Sequence, residues 1–247
     1  MHRLLVATEQ LASDVPVLSA EAQKHLRVLR PKDGEEIELF DGQGQWRVCT
    51  CRRRGTAPTV EIVPAAGVQM LARPSLALTL FACVTKGSRW DWTIEKATEL
   101  GVTRLVPVLS ERTIVRLAPG ERAAKRARWQ RIAEDAARQS DAKWLPEILS
   151  PVTFAESLPL VRATTCFVGA LTTPPPVPIG AALADKTPSS DDWAVYVGPE
   201  GDFTPTELAA LLEVATPVSF GATILRAETA AIYGVSALKA FLDVQSR

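Results

Sequence analysis

A chain of 247 residues, 47% apolar and 23% charged, suits one large or two modest soluble globular domains. Its apolar runs are too short to span a bilayer and no apolar h-region precedes the first acid, so no membrane segment or signal peptide is expected and the location is read as cytoplasmic. The net charge of zero hides a gradient: 10 basic and 9 acidic residues over 1–74, 13 and 8 over 75–144, 5 and 11 over 145–247, which is +1, +5 and −6. A basic middle of this kind suits contact with a polyanion.

In chain order, Ser19 to Leu29 reads as a short helix, with Ala22, Leu26 and Leu29 at helical spacing. Glu35 to Phe40 and Gln45 to Cys51 alternate, or nearly so, around the turn D-G-Q-G (Asp41 to Gly44), which predicts a β-hairpin. A third run, Pro58 to Val63, completes a small β-rich unit. Cys49 and Cys51 share one face of their strand. Together with Cys83 and Cys166 they show no C-x-x-C spacing, and with only His2 and His25 available they lack partners for a metal site, so reduced thiols and no metal are expected. Pro64 to Ser75 has the composition of a linker.

From Leu76 the pattern becomes alternating strands and helices. Strands are expected over Leu76 to Val84, Arg104 to Leu109, Thr164 to Ala170, Trp193 to Gly198 and Thr216 to Gly221. They are continuous apolar runs, as a parallel sheet covered on both faces requires. Thr204, Pro205 and Glu207 form the signature of a helix start, and the last helix carries Ala231, Val235, Leu238 and Leu242 on one stripe. Leu171 to Pro178 and Asp185 to Asp192 read as loops.

No G-x-G-x-x-G, Walker A, G-x-S-x-G or H-E-x-x-H motif is present, and both histidines lie in the first 25 residues. What stands out is a pair of turns, V-G-P-E-G-D-F-T (Val197 to Thr204) and F-G-A-T-I-L-R-A-E-T-A (Phe220 to Ala230). Each follows a strand and leads into a helix, and such turns meet at the carboxyl edge of an open α/β sheet, where ligands bind. Glu200 and Asp202 would repel a phosphate, so a nucleoside or a sulfonium fits better. The plain alternative is an ordinary strand-to-helix connection. Arg226 suits anion binding or charge stabilisation, and the plain alternative there is a surface Arg226–Glu228 pair.

These turns, with K-G-S-R-W-D-W-T-I-E-K-A-T-E-L-G-V (Lys86 to Val102), H-L-R-V-L-R-P-K-D-G (His25 to Gly34) and the D-G-Q-G hairpin, resemble the bacterial small-subunit (16S) ribosomal-RNA uridine N-3 methyltransferase family of the SPOUT superfamily. The resemblance implies an α/β fold: a SPOUT-type knotted parallel sheet with helices on both faces, preceded by a small β-rich PUA-like domain. It places a PUA-like RNA-binding domain at 1–70 and a SPOUT methyltransferase domain with a C-terminal trefoil knot at 76–247. It implies S-adenosyl-L-methionine as cofactor, held by Leu171, Val197, Gly198, Pro199, Glu200, Gly201, Phe220, Gly221, Ile224, Leu225 and Arg226, with glycines 198, 201 and 221 letting the main chain approach closely. Arg226 and Glu228 are the implied catalytic residues, and Glu228, Glu200 or bulk water would accept the uracil proton.

The resemblance also gives the basic segment a role. Lys86, Arg89, Arg122, Lys125, Arg126, Arg131 and Arg138, with Lys143 and with Arg3 and Arg30 of the first domain, are the expected RNA contacts; a solvated helix face is the plain alternative. Arg128 belongs to the same crowded region, and Arg52, Arg53 and Arg54 are a weaker guess. The implied partners are small-subunit ribosomal RNA, within the assembled 30S subunit, and a second copy in a homodimer, with the apolar last helix at the interface. The chain departs from the family pattern at Asp202, usually glycine, at Phe220, usually leucine, and at Asp141-Ala142-Lys143, where Gly-Arg is common. Competing readings are an RNA-binding assembly factor without catalysis, a SPOUT enzyme acting on another RNA position, and a small-molecule enzyme.

Overall fold

The computed structural model describes residues 1–53, 60–184, 186–187 and 192–245. Arg54, the start of the run from Pro58, and most of the Asp185 to Asp192 loop lie outside the described residues. The chain divides into two compact units, one of residues 1–73 with 134–145, the other of 74–133 with 146–247.

In the first unit, β1 (His2–Leu5) pairs in parallel with β2 (Glu36–Phe40), after α1 (Thr8–Ala12) and α2 (Ala20–Leu29). Ser19 caps α2 by accepting from the Ala22 N–H. The hairpin of β2 and β3 (Gln45–Arg53) is antiparallel, and its turn is pinned by the Asp41 Oδ1, which accepts from the N–H groups of Gln43 and Gln45 at 2.7 and 3.0 Å. β4 (Val60–Pro64) and the short β5 (Gln69–Met70) both pair with β3, so part of the expected linker is strand. Leu4, Leu11, Leu26, Ile37, Leu39, Cys49, Cys51 and Ile62 form the core. The four cysteines are free and buried, and burial raises their thiol pKa values, to about 11 at Cys51 and about 12 at Cys83. They are therefore inert, protonated packing groups.

The alternation expected over Glu35 to Phe40 fails at one place. Glu38 is 3% exposed and forms ion pairs with Lys143 and Arg3. Lys143 arrives from the end of a long helix far along the chain, so both faces of β2 are covered.

The second unit opens with β6 (Leu78–Cys83), α3 (Ser88–Glu99) and β7 (Arg104–Leu109). The long α4 (Arg122–Ser140) follows, with its last turns counted in the first unit. Then come β8 (Glu147–Ile148), β9 (Val152–Thr153), α5 (Phe154–Arg162), β10 (Thr165–Gly169), α6 (Ile179–Ala184), β11 (Trp193–Val197), α7 (Pro205–Leu212), β12 (Thr216–Val218) and α8 (Ala227–Gln245). The sheet is wholly parallel, in the order β12-β10-β11-β6-β7-β8, with β9 also on β7. Strand residues alternate between two cores. Leu80, Ala82, Phe167 and Val195 pack with Trp90, Trp129, Val235 and Leu238 on one face. Phe81, Cys83, Val106 and Tyr196 pack with Phe203 and Leu211 on the other. This two-sided burial is why the strands read as unbroken apolar runs.

Two expectations change. β12 stops at Val218 rather than Gly221: Pro217 offers no N–H to a ladder, Ser219 adds only an isolated parallel bridge to Pro178, and Phe220 and Gly221 lie outside any strand. The stripe of Ala231, Val235, Leu238 and Leu242 is 0–5% exposed within this unit, so it is spent on the core and is not free to form an interface. α7 starts as the sequence predicts, with Thr204 and Glu207 bonded reciprocally in a capping box.

Candidate cofactor cavity and nucleic-acid interface

The connectivity brings three strand ends together. The residues after β10, β11 and β12 enclose a cavity of about 320 Å³. Every residue expected to hold the cofactor lines it except Gly201. Asp202, Thr223, Ala227 and Ala230 of the same two turns complete the wall with Gly169, Ala170, Val218 and Ser219, and none of the eight was expected to hold the cofactor. Leu171 and Ile224 stand at the rim, 63% and 80% exposed. Large apolar side chains left in water beside a concave wall are what a ligand with an apolar ring would cover.

The glycines do different jobs. Gly221 has φ +120° and open space where a Cβ would sit, so it supplies both the backbone conformation and the clearance. A Cβ on Gly198 would instead press on the Phe203 ring at 3.0 Å, and Gly201 faces Arg112. Arg112 donates to the carbonyls of Gly201 and Phe203, at 2.9 and 3.3 Å. Glu207 accepts from the Glu111 N–H at 2.9 Å. The loop after β7 thus braces the first turn from behind. Gly169, which sequence reading passed over, is the tightest: a Cβ there would lie 2.4 Å from the Phe220 ring, whose other side abuts Gly234.

Arg226 is exposed on the cavity wall. Glu228, one residue into α8, is 9% exposed and its Oε2 has no hydrogen-bond partner. No ion pair joins the two among the described residues, so the surface-pair alternative is not what forms. Glu200 faces the cavity and is paired with Arg89 at 3.2 Å.

The basic residues divide sharply. Arg128 is held by Asp91, Arg138 by Asp135, and Arg122 by Glu156 at 3.4 Å, while the Arg126 Nε donates to the Ile148 carbonyl at 2.8 Å. Arg30, Lys86 and Arg131 are exposed and Lys125 half-buried, and none of their side chains has an ion-pair partner among the described residues. Arg52 is exposed on β3. Arg3 and Lys143 must be withdrawn from the surface set. Arg3 pairs with Asp141 at 2.8 Å and with Glu38, and the Lys143 ammonium is buried between Glu38 and Asp141, over the Trp46 ring. Sequence could not show this, because Glu38 lies 105 residues from Lys143 and Asp141 still further along the chain from Arg3.

Residues 72–239 match the RNA methyltransferase domain family, and residues 18–50 match its RNA methyltransferase PUA domain. This chain belongs to the RNA methyltransferase family. It is 33% identical to the ribosomal RNA small subunit methyltransferase E of Synechocystis, over 98% of this chain and 78% of that one. It is 32% identical to the Bacillus subtilis protein of the same name, over 94% and 93%. The crystal structure of a ribosomal RNA small subunit methyltransferase E from Neisseria gonorrhoeae, bound to S-adenosyl methionine, superposes with a TM-score of 0.81 at 29% identity and 97% coverage of both chains.

The departures from the family pattern now have physical explanations. Asp202 has φ 58° and Asp141 φ 65°, the left-handed region where glycine is the default and aspartate among the better substitutes. The Asp202 Oδ1 also accepts from the Phe203 N–H at 2.7 Å, and the Asp141 carboxylate anchors Arg3 and Lys143. Phe220 fills the gap between two glycines, 169 and 234, where a Cβ would have no room. The methyltransferase fold therefore accommodates all three.

Proposed function

We propose that this methyltransferase transfers a methyl group from S-adenosyl-L-methionine to N-3 of a uridine in 16S ribosomal RNA, within the 30S subunit and as a homodimer in the cytoplasm. The observation that carries the reading is the cavity at the ends of β10, β11 and β12: apolar at its rim, with glycines 169, 198 and 221 in its wall, the carboxylates Glu200 and Asp202, and Arg226 as its one basic residue among those described. That composition suits an adenosine ring and a sulfonium tail, and S-adenosylmethionine supplies the electrophilic methyl. The similarity to two proteins named for small-subunit ribosomal RNA supports the substrate. The C-terminal trefoil knot belongs to the same reading, supported by the return of α8 from the β12 edge to pack on β11, β6 and α3. So does the PUA-like RNA-binding role of residues 1–70.

Uracil N-3 must lose its proton as it is alkylated, and charge then spreads to the flanking carbonyl oxygens. Arg226 is placed to stabilise that charge. Of the two carboxylates, Glu200 lines the cavity and is engaged by Arg89, whereas Glu228 is not among the lining residues and its Oε2 is unpartnered; one of them, or bulk water, accepts the proton. Because N-3 is on the pairing edge, the target base must be unpaired or flipped. The exposed or half-buried Arg30, Lys86, Lys125 and Arg131 are the cations best placed to meet phosphate. Asp202, which a reading as an inactive assembly factor would need to be disruptive, is accommodated by its backbone conformation.

The test is incubation with unmethylated small subunits and labelled S-adenosylmethionine, followed by nucleoside analysis. Labelled N-3-methyluridine is the expected product; its absence alongside good cofactor binding would overturn the reading. A second variant probes the cavity itself. Gly169→Ala should drive the Phe220 ring toward the cavity and weaken S-adenosylmethionine binding at least tenfold by calorimetry, with about 1–3 kcal/mol of overpacking strain. Unchanged affinity would show that Phe220 does not bound the cofactor site.

A further inference from the structure

Among the described residues, three charged ones line the cavity at the ends of β10, β11 and β12: Glu200, Asp202 and Arg226. Glu200 is paired with Arg89 at 3.2 Å, which offsets its charge. Asp202 and Arg226 have no ion-pair partner among the described residues.

The turn holds the Asp202 carboxylate toward the cavity. Gly201, just before it, is outside the lining, and a Cβ there would meet Arg112 at 3.4 Å. The Arg112 guanidinium donates to the carbonyls of Gly201 and Phe203, on either side of Asp202, yet forms no ion pair with Asp202. The carboxylate therefore lies on the face of the turn away from Arg112, and Asp202 is part of the cavity wall. The Asp202 N–H closes the turn on the Pro199 carbonyl at 3.0 Å, with φ at 58°. Its Oδ1 accepts from the Phe203 N–H at 2.7 Å, whereas Oδ2 takes no hydrogen bond among the described residues. Asparagine can adopt the same backbone conformation and offer the same acceptor, so the turn itself does not need the negative charge.

An unpaired carboxylate in a cavity acts on the charge of what binds there. Loss of the methyl group leaves its bonding electron pair on sulfur, so S-adenosylmethionine carries one positive charge more than the product, S-adenosylhomocysteine. The amino-acid tail is the same in both, and its contacts cancel when the two affinities are compared. We propose that Asp202 is a specificity-determining residue that makes this cavity prefer the methyl donor over its demethylated product and so limits product inhibition. The proposal rests on the reading of this cavity as the cofactor site. Two opposite unit charges within a space of about 320 Å³ attract strongly enough, at the effective dielectric near a protein surface, to change an affinity about tenfold.

Asp202→Asn, made in the full chain, tests this by calorimetry with each ligand separately. The affinity for S-adenosylmethionine relative to S-adenosylhomocysteine should fall about tenfold. Sinefungin, which carries an amine in place of the sulfonium, should lose affinity as S-adenosylmethionine does. Asp202→Gly also tolerates the left-handed backbone and removes the charge, so it should narrow the same ratio. In steady-state assays of either variant, the inhibition constant of S-adenosylhomocysteine should fall relative to the KM for S-adenosylmethionine. An unchanged affinity ratio in both variants would overturn the proposal and leave Asp202 a residue of the turn alone. Equal losses for donor and product would also overturn it, placing the carboxylate on the tail ammonium. Wild-type protein that binds neither ligand would instead refute the cofactor reading beneath it.

Discussion

Arg226→Ala should lower turnover by about 10²–10³-fold, the usual cost of removing one preorganised donor from developing negative charge. The side chain is exposed on the cavity wall and has no carboxylate partner among the described residues, so its charge is available to a substrate. Because most of the residues lining the cavity are glycine or apolar, S-adenosylmethionine affinity should change only a few-fold. Single-turnover rates on small subunits, paired with calorimetry of cofactor binding, separate the two effects. Arg226→Lys should recover part of the rate, since it keeps the charge but loses the planar fork. A variant that turns over normally would remove Arg226 from the chemistry and leave it a rim residue.

What was legible in the sequence follows from the range of the interactions involved. The sheet strands could be read because burial on both faces forces unbroken apolar runs, and the start of α7 because Thr204, Pro205 and Glu207 act on one another within four residues. The turns that line the cavity could be read because a strand end, a glycine and a helix start are local features. Roles set by distant partners could not. Gly201 looks like its neighbour Gly198, yet what it faces is Arg112, some 90 residues earlier in the chain. Gly169 carries no local mark, because its need for a hydrogen comes from the Phe220 ring, some 50 residues later in the chain. Trp90 sits among the polar residues of K-G-S-R-W-D, and only the folded structure shows it buried edge to face against Trp129. The basic segment was visible as a charge excess, but which cations remain available depends on Asp91, Asp135 and Glu156, whose pairing no spacing rule reveals.

Arg3 and Lys143 are the sharpest case, and they lead to the largest expected effect on stability. Glu38→Ala should destabilise the first unit by about 3–5 kcal/mol, because it leaves the buried Lys143 ammonium with only the half-exposed Asp141 and removes the second acid from Arg3. Hydrogen exchange of the β2 and β3 amides would localise the loss, and urea unfolding would give its size. The double variant Glu38→Leu with Lys143→Met should recover most of it, since replacing both partners by apolar groups leaves no buried charge uncompensated. Burial raises the Asp141 pKa, but hydrogen bonding and charge from Lys143 and Arg3 outweigh it and hold the carboxyl below its ordinary value. A depressed carboxylate contributes its stability above the unfolded-state pKa near 4 and loses it as pH falls through the lower folded value. The wild-type unit should therefore weaken with acidification in that window, and Asp141→Asn should flatten that part of the profile. An RNA-contact role for Lys143 predicts the opposite pattern: Glu38→Ala would free the ammonium, leave stability nearly unchanged and tighten RNA binding. Loss of stability without tighter binding would establish that this lysine holds the β2 strand to the end of α4 and does not reach the substrate.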